Sequence, residues 1–205
     1  MKWTLVVLAL ALPSFSTCSQ ATRRIQANQV TLSYLGAAGW QISDGKTTIL
    51  IDPYLSRIGR AVSPGSGSAA ADLPGDTRPI IGPDDPLVSD VTTIDAHLQQ
   101  ADLILITHSH FDHIMDVPYI ARKTGAAVVG HMSAINVLRA HGISSDKLLT
   151  VRGGEDYEFN KFSLKVIPNL HSPLNQKLYF DDRIIPSTVR LPLRLGDLAE
   201  GGSLC

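Results

Sequence analysis

The chain has 205 residues, a formal net charge of −1 and 44% hydrophobic residues. Those values predict a single domain with one well-filled core. The near-zero charge gives no electrostatic basis for a nucleic-acid partner, although a phosphorylated substrate held by a few local charges stays open.

The first 21 residues read as an export signal. Lys2 is a thin positive start, residues 5–12 are an unbroken apolar run, and Pro13 begins a small, polar stretch. The run is too short to cross a membrane, which takes about 20 apolar residues. Cleavage after Ala21, with Ser19 two positions earlier, fits a small-x-small rule. Lipidation at Cys18 is the alternative, but Phe15-Ser16-Thr17-Cys18 lacks the leucine of a good lipobox. Export places the protein in a bacterial periplasm or lipid-anchored in the cell envelope. Cys18 and Cys205 are the two cysteines, so no disulfide framework is expected.

A single domain is expected over 28–205. Val30, Leu32 and Tyr34 alternate with neighbours on the way to Gly36-Ala37-Ala38-Gly39, where glycine lets the backbone pass close to something. Trp40 and Ile42 begin a second strand, Asp44-Gly45 is a turn, and residues 47–51 form a third strand. Trp40 is expected in the core, since tryptophan is usually well buried. Asp52 ends the third strand before Pro53. Residues 56–92 carry five prolines and a Ser-Pro-Gly-Ser-Gly-Ser run, so they read as a long connection. It is either a lid over a site or a tolerated insertion. If a lid, Arg57, Arg60 or Arg78 could meet an anionic substrate. Residues 93–100 predict a short helix, with His97 on its surface.

Leu103-Ile104-Leu105-Ile106 then reads as a buried strand. It leads into Thr107-His108-Ser109-His110-Phe111-Asp112-His113, in which three imidazoles and one carboxylate fall within six residues. A packed strand holds such side chains rigidly, and the turn beyond it lets them converge. Imidazole nitrogen and carboxylate oxygen suit zinc, and also iron or manganese. Ser109 reads as spacing among ligands rather than a nucleophile. Asp116 reads as a helix-start or supporting group.

Beyond the motif the pattern predicts a helix over 119–123 stopped by Gly125, and a buried strand over 126–130. A helix through Met132, Ile135 and Leu138 follows, ending near Gly142. His131 falls at the strand-helix junction, in or near the same cleft, and His141 at the helix C-terminus. Strands are expected at 148–151 and 162–167, with His171 just after the second.

The His-rich stretch resembles the signature of the metallo-beta-lactamase fold superfamily. The likeness extends upstream through residues 35–42 and 48–53, and downstream to Ile167-Pro168-Asn169-Leu170-His171-Ser172. The flavour is similar to ascorbate-6-phosphate lactonase-like and N-acylphosphatidylethanolamine phospholipase D-like hydrolases. The resemblance implies an α/β, four-layer αββα sandwich whose first half is complete and whose second half is largely missing. It implies that His108, His110 and His171 hold one metal and that Asp112 and His113 help hold a second. Asp112 would also orient the attacking water, and Asp52 would support the histidine loop by hydrogen bonding. One or two zinc ions are expected, with manganese or iron as alternatives. A metal-bound hydroxide would attack an ester, lactone or phosphodiester bond in a small-molecule or lipid-like substrate. Membrane contact is expected only through an anchor at Cys18. The Glu200-Gly201-Gly202-Ser203-Leu204 segment resembles the opening of the second half, so the chain reads as a truncated hydrolase or a non-catalytic metal-binding remnant. The runner-up is a short form completed by dimerisation.

Overall fold

The structure is a computed structural model that describes residues 29–60, 77–159, 161–169, 171 and 183–204. The expected export signal, Cys18 and Cys205 lie outside the described residues, as does much of the long connection.

The backbone of the fold is a six-stranded mixed sheet in the order β1-β2-β3-β6-β7-β8, while two short strands, β4 (Gly59–Arg60) and β5 (Ile80–Ile81), pair in parallel outside it. Strands β1 (Thr31–Gly36), β2 (Gly39–Ser43) and β3 (Thr48–Ile51) form an antiparallel meander. Its second turn is closed by Asp44, whose Oδ1 accepts the Lys46 and Thr47 N–H groups at 2.8 and 2.7 Å. From β3 the sheet turns parallel: β3 pairs with β6 (Leu103–Ile106), β6 with β7 (Ala127–Gly130), and β7 with β8 (Leu148–Thr150). The all-apolar sequence of β6 follows from its place between two parallel neighbours with both faces covered.

The pleat divides the core. Leu50, Ile104, Ile106 and Val128 face one side, where helices α1 (Val91–His97), α3 (Val117–Thr124) and α4 (Met132–Ala140) contribute Ile94, Val117, Ile120, Val137 and Leu138. Leu103, Val129 and Val151 face the other, with Val166, Leu204 and the hairpin of β9 (Asp156–Phe159) and β10 (Phe162–Lys165) packed over them. Helix α1 starts two residues earlier than the apolar spacing predicts, because Asp90 caps it and accepts the Thr93 N–H at 3.0 Å. Gly125 ends α3 at φ 71°, as expected. The layers are therefore helices, sheet, and a partial second β layer. That layer includes β11 (Pro168–Asn169) paired with β12 (Ser203–Leu204), so a strand forms directly after Gly201-Gly202.

Two expectations need correction. Trp40 is not a core residue. It is 39% exposed and packs on its cross-strand partner Tyr34 at 5.0 Å between ring centroids. Val30, Leu32 and Tyr34 are also exposed, so this end of the sheet is uncovered among the described residues. Arg57 does not reach toward the histidines. Its guanidinium donates to the Leu35 carbonyl at 2.5 Å and lies over the Tyr54 ring, 5.2 Å from the centroid. That explains Gly36: a Cβ there would sit 1.9 Å from Arg57 Nη2.

Candidate metal centre

The site grows from the ends of β3 and β6. Asp52 leaves β3 in the left-handed region, at φ 42°, a conformation aspartate tolerates better than most side chains. Its N–H still donates to Leu105 O at 3.0 Å, which fixes its place beside β6. Gly39 packs against the Asp52 carbonyl oxygen, which a Cβ there would meet at 3.0 Å. The Asp52 carboxylate is 1% exposed as a residue and faces the start of the histidine loop. It accepts the Thr107 N–H at 2.8 Å, the Thr107 Oγ1–H at 2.6 Å, and the His113 Nδ1–H at 2.9 Å.

Proton accounting follows from these contacts. The single Thr107 hydroxyl proton goes to Asp52. Thr107 Oγ1 is then an acceptor for His108 Nδ1, 3.2 Å away. This assigns the His108 proton to Nδ1 and leaves a bare lone pair on Nε2. Burial and the neighbouring imidazoles of His113, His110 and His171 push the His108 pKa down to about 2, so the ring is neutral. His113 is the opposite case. Burial works against its charged form, but the hydrogen bond and charge of Asp52 outweigh it and raise the pKa.

Beyond Thr107 the chain turns into the short helix α2 (Phe111–Ile114), with His110 at its N-cap. His108 Nε2 lies 3.0 Å from His110 Nδ1. The His171 ring stands 4.8 Å from the His108 centroid and 4.9 Å from that of His110. One ring nitrogen from each of His108, His110 and His171 falls within 4.8 Å of the others. The two partners close in sequence and the one 61 positions on thus converge on one point, which suits a cation bound by neutral imidazoles. His113 lies beside this trio, 3.8 Å from the His108 ring centroid, with its Nδ1 taken by Asp52. Asp112 Oδ2 is 3.7 Å from His113 Nε2, at the edge of the group. The three-histidine cluster does not include Asp112 or His113.

The loop is held from behind as well. Ser109 N–H donates to Glu200 O at 3.0 Å, and Leu204 N–H donates to Thr107 O at 2.9 Å. Gly201, at φ 68°, lies against α4: a Cβ there would meet Ser133 Oγ at 2.1 Å and Ser109 Oγ at 3.4 Å. Asp116, wholly buried, braces the other flank by accepting the Leu55 and Ser56 N–H groups at 2.7 and 2.9 Å. His131 belongs to a separate pocket of about 280 Å³, with its ring against Gly202, rather than to the histidine cleft. His97 and His141 bond backbone carbonyls of their own helices.

The histidines floor a cleft of about 530 Å³. Its opposite wall joins Pro83 to Leu195, Gly196 and Leu198, with Arg183 at the rim. Gly196 N–H donates to Pro83 O at 2.7 Å and Leu195 N–H to Asp85 O at 3.2 Å, so two distant segments are zipped into one wall. The end of the long connection therefore does line the site. Thr107 and Arg183 were missed by sequence reasoning. Thr107 stands inside the motif, and its pairing with Asp52 was available as a signal. Arg183 had none, because only the fold brings it to the histidines.

Residues 31–185 match the family model of the beta-lactamase superfamily domain. A UPF0173 metal-dependent hydrolase of Staphylococcus aureus (strain JH9) is 28% identical over 141 residues, covering 67% of this chain and 58% of that protein. Its counterpart in strain Newman matches equally. The chain thus spans less than two thirds of the length of these curated relatives, at 58%. Among solved structures, Igni18, a metallo hydrolase from Ignicoccus hospitalis, aligns at a TM-score of 0.45 and 20% identity, over 70% of this chain and 50% of that one. The diiron beta-hydroxylase CmlA from Streptomyces venezuelae aligns at 0.43 and 20%, over 70% and 24%.

Proposed function

The chain belongs to the beta-lactamase superfamily, and from that premise we propose that it is a metal-dependent hydrolase acting on an ester, lactone or phosphodiester bond. The observation that carries the reading is the convergence of His108, His110 and His171 on one point at the floor of an open cleft. Those three residues would hold the first ion, with His113 and Asp112 beside it. Zinc fits neutral imidazoles best, and iron or manganese also suit the set. When bound, such an ion acidifies water and polarises the bond under attack.

The chain's own groups do the rest. The Thr107–His108 hydrogen bond keeps the proton on Nδ1 and the lone pair on Nε2. Asp52 holds Thr107 and His113 together, so two rings are oriented by one buried carboxylate. Asp112, in the cleft lining, is placed to accept a proton from the attacking water. The Pro83, Leu195 and Leu198 wall excludes solvent from one side of a bound substrate. Export through residues 1–21 is part of the same proposal, and N-terminal sequencing of the mature protein from an envelope fraction checks it.

The hydrolase reading is tested by turnover of p-nitrophenyl acetate, a γ-lactone and bis(p-nitrophenyl) phosphate. We expect hydrolysis of at least one, lost on chelation, restored by zinc and absent in His171→Ala. Turnover indifferent to chelator, or no turnover by a metal-loaded chain, contradicts it.

A further inference from the structure

We propose that Arg183 is the specificity-determining residue of the cleft and that the substrate carries an anionic oxygen group, phosphate or carboxylate, beside the bond that is cut. The inference rests on the hydrolase reading of the same site and names the substrate class it leaves open.

Arg183 is the cationic side chain that the described residues bring to the cleft lining, facing a floor of His108, His110, His113 and His171 with the carboxylate of Asp112. The remainder of the wall is Pro83, Phe111, Leu195, Gly196 and Leu198, which offers apolar surface and no other charge. A neutral substrate offers a guanidinium in that lining no charge to meet. An anionic one gains charge-assisted hydrogen bonds from a planar fork that matches two oxygens at once.

The placement of this arginine is built. Two residues on, Ile185 is 2% exposed and its peptide is gripped on both sides by α4. Ile185 N–H donates to Ser133 Oγ at 3.0 Å, and Asn136 Nδ2–H donates to Ile185 O at 2.8 Å. Ser133 and Asn136 are 0% and 4% exposed on the helix face that otherwise packs Ala134, Val137 and Leu138. Buried polar side chains in such a face are costly unless they have a task. Their task here is to fix the segment that carries Arg183 to the mouth of the cleft. The arginines 57 and 78 of the long connection are not among the cleft-lining residues.

The test is calorimetric binding of diphenyl phosphate, diphenylacetate and neutral diphenylmethanol to the full zinc-loaded chain, with metal content measured on the same samples. Arg183→Ala should weaken one or both anions about tenfold, the scale of a lost charge-assisted hydrogen bond, and leave diphenylmethanol and metal content unchanged. Arg183→Lys should recover part of the loss. Which anion responds more separates phosphate from carboxylate recognition. Anion binding unchanged in Arg183→Ala overturns the proposal. So does an equal loss for diphenylmethanol, or a native metal-loaded chain that binds neither anion. A native chain that takes up no metal defeats the hydrolase reading and this inference with it.

Discussion

At the scale of single residues, the site is an exercise in distributing three protons. Asp52 can only accept, and it takes protons from Thr107 N, Thr107 Oγ1 and His113 Nδ1. The placement of Thr107 and His113, and through Thr107 the proton on His108 Nδ1, depends on that carboxylate. Asp52→Asn keeps the shape but adds two donors where three already point. Metal affinity should fall about 10- to 100-fold, the usual effect of disturbing a partner behind a metal ligand, as read by competition with a chelator. Thr107→Val should weaken affinity less, because His113 keeps its bond to Asp52. An Asp52→Asn chain with native affinity would show that the carboxylate only caps the strand. Much of this was legible: His108 and His110 are marked by an apolar strand that ends in polar residues, while the supporting role of Asp52, at the end of another strand, came through the resemblance. The isolated His171 was named only through resemblance, since nothing local distinguishes it. The Trp40 expectation failed because burial is a property of what covers a face, which one strand's sequence does not record.

At the scale of elements, the histidine loop is a short turn held by its neighbours. Asp116 ties residues 55 and 56 to the start of α3. Asp116→Ala leaves the buried Leu55 N–H and the half-buried Ser56 N–H and hydroxyl without their acceptor, and should cost about 3 kcal/mol in urea unfolding. On the other flank, Gly201 meets both the left-handed backbone requirement and the close approach to Ser133. Gly201→Ala should destabilise the fold by at least about 2 kcal/mol and lower metal affinity, because Glu200 O moves away from Ser109 N–H. Native metal affinity in that variant would mean the loop does not need its rear support. The helices and parallel strands were readable from apolar spacing and glycine stops. Strand β9 went unread although it pairs locally with β10. The zipped wall of Pro83 and Gly196 was not legible, because it depends on contacts between segments 110 positions apart, such as Arg194 with Asp84 O.

At the scale of the whole molecule, the sheet has one face sealed by helices and the other only partly covered among the described residues. Leu32 and Tyr34 on the edge strand β1, with Val30 just before it, form an exposed apolar row, with Trp40 beside it. Such a patch on an edge strand promotes association. Leu32→Lys with Tyr34→Lys should reduce self-association in sedimentation, at a stability cost of about 1–2 kcal/mol from the lost Tyr34–Trp40 pair and the Tyr34 hydroxyl bond to Ala37 O. Unchanged association would place the contact elsewhere.

All three scales meet in the claim that His108, His110 and His171 form one metal site. The most direct measurement is the metal content of the purified chain by elemental analysis, beside the same measurement on His108→Ala with His110→Ala. The account predicts at least one tightly held ion in the native chain and its loss from a double variant that keeps its circular dichroism spectrum. A folded double variant with undiminished metal, or a native chain that holds none after zinc loading, would contradict it.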